Sequence, residues 1–193
     1  MDKNNYREFK ESIRSCKGIS PTFDRAVQEF KKRGTTIRII TTPGIMGECC
    51  WDTNTLNFNI KVFNNHYDFM GVFSHEMCHL QEDRSYAPTL GDLRSTKDPY
   101  SLVDQCVATQ LARELGAYTA EKQTLLEIRD KFPGAKFMKN SLPDVDVIDF
   151  INFMVSPGGM VNHAYYRKSI KEGMSRVLAN GCLPEYPDSM VMM

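Results

Sequence analysis

The sequence lacks an excess of either charge: 24 Lys and Arg stand against 24 Asp and Glu. It has no basic block and no acidic tail, so nucleic acid and membrane surfaces are not expected partners. No stretch approaches the roughly 18 apolar residues of a membrane span. The opening Met1-Asp2-Lys3-Asn4-Asn5-Tyr6 has no apolar signal core. The expected compartment is therefore the cytoplasm by default, although an effector delivered without a cleaved signal would carry the same kind of sequence. No Cys-x-x-Cys pair occurs among Cys16, Cys49, Cys50, Cys78, Cys106 and Cys182, which removes a zinc-ribbon reading. A chain of this size does not depend on disulfides, so the cysteines are expected to be reduced and mostly buried. Cys49 and Cys50, neighbours in a strand-like stretch, should point to opposite faces.

What is present suits one α+β domain over 1–193, mainly helical, with a short twisted sheet. N-terminal helices are expected over about 1–34, the sheet and two long helices over 35–131, and a helical C-terminal part over 135–193. Ser20-Pro21-Thr22 has the form of a helix start, with Ser20 as cap, and Gly34 stops that helix. Thr35 to Thr42 is expected as a strand ended by Pro43-Gly44. Cys49 to Ile60 has the pattern strand, turn, strand. Leu56, Phe58 and Ile60 alternate with Asn57, Asn59 and Lys61, as in a half-buried strand that could sit at a sheet edge. Asn64 or Asn65 can cap a helix running to about Arg84. Ser101 to about Lys131 is expected as one long helix, with Val103, Val107, Leu111 and Leu115 on one stripe. Further helices are expected at Pro143–Met154 and Val161–Ala179, separated by Ser156-Pro157-Gly158-Gly159.

The residues that carry chemistry are His75-Glu76-Met77-Cys78-His79. Two histidines four apart lie one turn from each other on the same helix face and can bind one zinc ion. Glu76 points about 100° round the helix. It is badly placed to share the metal but can reach a water on the metal's open side, the general-base role that this pattern supports in metal hydrolases. No charge intervenes from Phe69 to Ser74, as expected for a helix that is buried on one side.

A hydrolytic zinc site needs a third protein ligand and an open position. Glu114, in Glu114-Leu115-Gly116-Ala117-Tyr118, is the strongest candidate. A second helix packed antiparallel to the first would bring it to the metal, and Gly116 and Ala117 are small enough to let the helices approach. Asp104, Glu121 and His163 are rivals. Cys78 would suit a closed structural site instead.

The segment Phe73-Ser74-His75-Glu76-Met77-Cys78-His79-Leu80 resembles the zinc helix of the zincin metallopeptidases. Glu114 with Ala117 resembles the Glu-x-x-Ala helix of their gluzincin branch. The resemblance covers roughly 35–131. It implies a zincin-like fold, zinc held by His75, His79 and Glu114, water activated by Glu76, and a substrate-binding edge strand at Leu56–Ile60. It also implies an oxyanion-stabilising His or Tyr, for which His163, Tyr165 and Tyr166 are candidates. The chain departs from the longer gluzincin pattern by its shortness. Leu80 to Ser85 lacks the extra Gly and His of the metzincins.

The expected activity is zinc-dependent hydrolysis of a peptide bond in a protein or peptide substrate. Two alternatives stand beside it: a zinc hydrolase acting on a non-protein amide such as a cell-wall peptide, and a non-catalytic, metal-stabilised regulatory or binding protein. Water in the fourth metal position separates either hydrolase from the closed site.

Overall fold

The structure, a computed structural model, describes residues 3–81, 99–139 and 142–150. These fall into two units. One comprises 3–81 with 113–139 and 142–150, and the other comprises 99–112. Everything below concerns the first unit unless stated. The chain is a small mixed α+β protein, mainly helical. Its elements are α1 (Lys3–Cys16), α2 (Pro21–Arg33), β1 (Thr36–Ile39), β2 (Gly47–Cys50), β3 (Thr55–Phe58), α3 (His66–Gln81) and α4 (Pro99–Lys131). Residues 99–112, the first turns of α4, belong to the second unit. No described helix is long and apolar enough to cross a membrane.

Helix α2 begins and ends where the sequence places it. The Ser20 side chain accepts from Phe23 N, and Gly34 closes the helix at φ 61°, a left-handed conformation that glycine adopts without a Cβ penalty. The N-terminus of α2 is also held from outside. Both Ser20 Oγ and Thr22 N donate to Glu127 Oε2, and Thr22 Oγ1 donates to Glu127 Oε1 at 2.8 Å. Burial works against the Glu127 charge, but these bonds, with one from Gln123, hold its carboxyl below the usual value of 4.5. A depressed folded-state pKa adds stability above the unfolded value, and that stability is lost as pH falls through the folded value. Glu127→Ala is therefore expected to cost about 1 kcal/mol at pH 7, since solvent screens part of the interaction. The difference from wild type should shrink below pH 4.5. Urea melts across pH 3–7 would check this, and a pH-independent difference would remove the electrostatic account.

The sheet order is β1-β3-β2, with β1 parallel and β2 antiparallel to β3. Leu56 and Phe58 are fully buried, whereas Asn57 faces the other side and donates to Glu48 Oε2 at 2.9 Å and Cys50 Sγ at 3.1 Å. The alternation expected here is present. The edge position is not, because β3 is paired on both sides and Ile60 already begins a 3₁₀ turn. The outer strand next to α3 is β2. Its register places Gly47 and Cys49 opposite Phe58 and Leu56, on the face toward α3, and Cys50 on the other. Among the five described cysteines only Cys16 is buried; Cys49, Cys50, Cys78 and Cys106 are half-exposed, against the expectation that most would be buried.

The core is a set of phenylalanine rings where α2, α3 and the sheet meet. Phe73 packs at 5.4 Å from Phe23, 5.8 Å from Phe30, 5.7 Å from Phe69 and 5.9 Å from Phe58. Helix α3 opens with the Asn65 side chain accepting from Asp68 N and closes with Arg33 donating to Leu80 O. It is buried almost all round from Asp68 to Met77, not on one side only. The side chains of Val103 and Val107 lie outside the described residues; Leu111 and Leu115 are half-exposed. The next helix starts at Val147, not Pro143. Leu142–Asp144 form a 3₁₀ turn, and Asp146 Oδ1 caps the N–H groups of Ile148 and Asp149.

Candidate metal centre

Helices α3 and α4 run antiparallel, as the paired positions show: His79 with Glu114, His75 with Glu121, Ser74 with Thr124. The buried Thr124 hydroxyl donates to Ser74 Oγ at 2.9 Å, and Ser74 in turn donates to Met70 O. The small residue that lets the helices approach is Gly71, where a Cβ would sit 3.1 Å from Leu125 and 3.3 Å from Glu121. Gly116, expected in that role, is exposed and has room for a methyl group; Ala117 is fully buried.

This packing brings His75, His79 and Glu114 together, with one donor atom from each within 4.8 Å of the others. The two Nε2 atoms are 3.2 Å apart. His75 Nε2 lies 3.5 Å from Glu114 Oε2, and His79 Nε2 lies 3.6 Å from Glu114 Oε1. Ligands about 2.0–2.1 Å from a tetrahedral zinc are separated by roughly 3.3–3.4 Å. The donor set therefore suits that ion in element type and number, and its closest pairs, 3.2–3.6 Å, are near that spacing, the two histidines facing different oxygens of Glu114. No other His, Cys, Asp or Glu of the described residues joins the group.

The rest of the histidine is supported. His75 Nδ1 lies 3.1 Å from Glu121 Oε2, the arrangement in which a carboxylate accepts a hydrogen bond from Nδ1–H and leaves Nε2 to bind metal. Glu121 is buried, and Lys139 Nζ donates to both its oxygens at 2.9 and 3.2 Å. The Tyr118 ring stands edge-on to His75, with centroids 4.6 Å apart. Burial opposes a charge on His75. Hydrogen bonds to Glu114 and Glu121 outweigh it and raise the imidazole to about 9. Burial likewise opposes the charges on the two glutamates. The two histidines nevertheless hold Glu114 well below the carboxylate range, while Lys139 and His75 bring Glu121 to about 2.

Glu76 stands apart from the donor group. Burial raises its carboxyl, and the nearby His75 and His79 work against that rise. Its side chain lies over β2: a Cβ on Gly47 would meet Glu76 Cγ at 2.9 Å, Glu76 Oε1 at 3.0 Å and Val72 Cγ1 at 2.8 Å. Glycine at 47 is what lets the strand pass beneath this carboxylate.

Of the rival ligands, Glu121 is placed behind His75 instead of at the metal position. Cys78 lies on the wall of a groove of about 390 Å³ with Thr22, Arg25 and Gln81, and is not in the donor group. His163, Tyr165 and Tyr166 lie outside the described residues, as does the side chain of Asp104. Lys139 and Tyr118 were not singled out from sequence. Lys139 lies 18 residues beyond Glu121 in an irregular segment, and no spacing rule connects such positions. Compared with known protein families, curated proteins and solved structures, the chain gives no match.

Proposed function

We propose that this chain is a zinc-dependent metallopeptidase of the zincin type. The observation that carries the reading is the convergence of His75, His79 and Glu114, one donor atom from each within 4.8 Å of the others, with Glu76 beside the group and not in it. A zinc ion held there supplies Lewis acidity, polarising a carbonyl and lowering the pKa of a water. Glu76 takes a proton from the attacking water and passes it to the leaving amine nitrogen. Its raised carboxyl pKa suits a group that must hold a proton between those two steps. An extended peptide adds to the sheet along β2, the outer strand, whose Gly47 lies under Glu76, and backbone pairing there is tolerant of sequence.

Elemental analysis tests the reading. Wild type is expected to hold about one zinc per chain, and His79→Ala and Glu114→Ala far less, since two remaining ligands bind weakly. Hydrolysis of a peptide library should disappear with the metal on chelation. A wild-type chain that takes up no zinc when refolded with it would sink the proposal.

A further inference from the structure

We propose that Lys139 is a positioning residue of this metal centre: acting through Glu121, it fixes the His75 ring with Nε2 turned toward the other ligands. The inference rests on the metal-site reading above and assigns a role to a residue that neither binds metal nor touches substrate.

Two contacts lead from Lys139 to His75. Its ammonium donates to both oxygens of Glu121, and Glu121 Oε2 faces His75 Nδ1 at 3.1 Å. The same ammonium lies 4.8 Å from the centre of the Tyr118 ring, which packs edge-on against the His75 ring. A carboxylate as buried as Glu121 is stable in its charged form only with a cation in contact. Without that contact nothing holds the carboxylate against His75, and a carboxylate that turns away releases the imidazole to its other tautomer. A ring with its proton on Nε2 has no lone pair there for a metal.

The segment carrying Lys139 is held from α3 itself. Asn65 Nδ2 donates to Lys136 O at 2.9 Å, and Met138 N donates to Asp68 Oδ1 at 2.7 Å. One helix thus presents the histidines on its last turns and, from its first turn, pins the strand of chain whose lysine orients them.

The test measures zinc affinity by competition with a chromophoric chelator, on the full chain, for wild type, Lys139→Met, Lys139→Arg and Lys122→Met. Lys122 lies on α4 and donates to Val145 O, not to Glu121 or a histidine of the group, and reports the cost of losing a structural lysine. Lys139→Met is expected to weaken zinc binding 10–100-fold, as outer partners of metal ligands do. Lys139→Arg should recover most of the loss, and Lys122→Met should bind as wild type. Equal affinity in Lys139→Met and wild type, with zinc bound by both, overturns the inference and leaves the metal site standing. A wild type without zinc fails the site itself. Nitrogen-15 NMR of the zinc-loaded wild type decides the matter even if Lys139→Met does not fold. His75 must bind through Nε2 and carry a slowly exchanging proton on Nδ1, and binding through Nδ1 overturns the role.

Discussion

Glu76→Gln is expected to keep its zinc and lose its peptidase activity, by at least about 10²–10⁴-fold. Glutamine has nearly the same volume and leaves the close approach to Gly47 unchanged. The group of His75, His79 and Glu114 that could hold a metal does not include position 76. An amide in that place cannot accept a proton from water, so the lost step is proton transfer alone. Two measurements on one preparation decide it: zinc per chain and the rate of hydrolysis of the best library peptide. Loss of zinc would make Glu76 a ligand. Full activity would remove it from the mechanism, and the base would have to be sought elsewhere.

Phe73→Ala is expected to be the most destabilising single change among the described core residues, costing about 3–5 kcal/mol. Phe73 is fully buried, and four other phenylalanine rings from α2, β3 and α3 pack on it. Removing it leaves a cavity at the point where three elements meet, too rigidly walled to collapse. The melting temperature should fall by roughly 10 °C or more. Because His75 lies two residues along the same helix, excess zinc should restore part of the loss by binding only the folded chain. Thermal melts with and without zinc check both statements. A loss below about 1 kcal/mol would mean that the ring cluster is not the centre of the core.

Much of the fold was legible because local chemistry decides it. Ser20, Pro21 and Gly34 bound α2 since capping and backbone conformation are properties of a few adjacent residues. The Asn65 cap of α3 is of the same kind. Leu56 and Phe58 announce a half-buried strand, but alternation reports only which face is apolar. It cannot say how many neighbours a strand has, and so the edge place expected for Leu56–Ile60 is not found: β3 is central and β2 is outer. The sequence points to Gly116 and Ala117 as the small residues of the helix crossing; Ala117 is fully buried, but the position with no room for a Cβ is Gly71, since the rotation of one helix against another is fixed by packing along their whole length.

The sequence by itself determined that two histidines share a helix face with a glutamate turned away from them, because four residues are close to one helical turn. It also offered Glu114 as the strongest third-ligand candidate, with Asp104, Glu121, His163 and Cys78 as rivals. Only the tertiary structure separated Glu114 from Glu121, two turns apart on one helix, by what each faces. The antiparallel crossing sets Glu114 against both Nε2 atoms and Glu121 against the Nδ1 of His75. Lys139, too, became part of the site only through the fold, since the segment that holds it is pinned by side chains of α3 some 70 residues earlier. Periodicity fixes what one helix presents. Which residues of distant segments meet it depends on packing that no single segment contains.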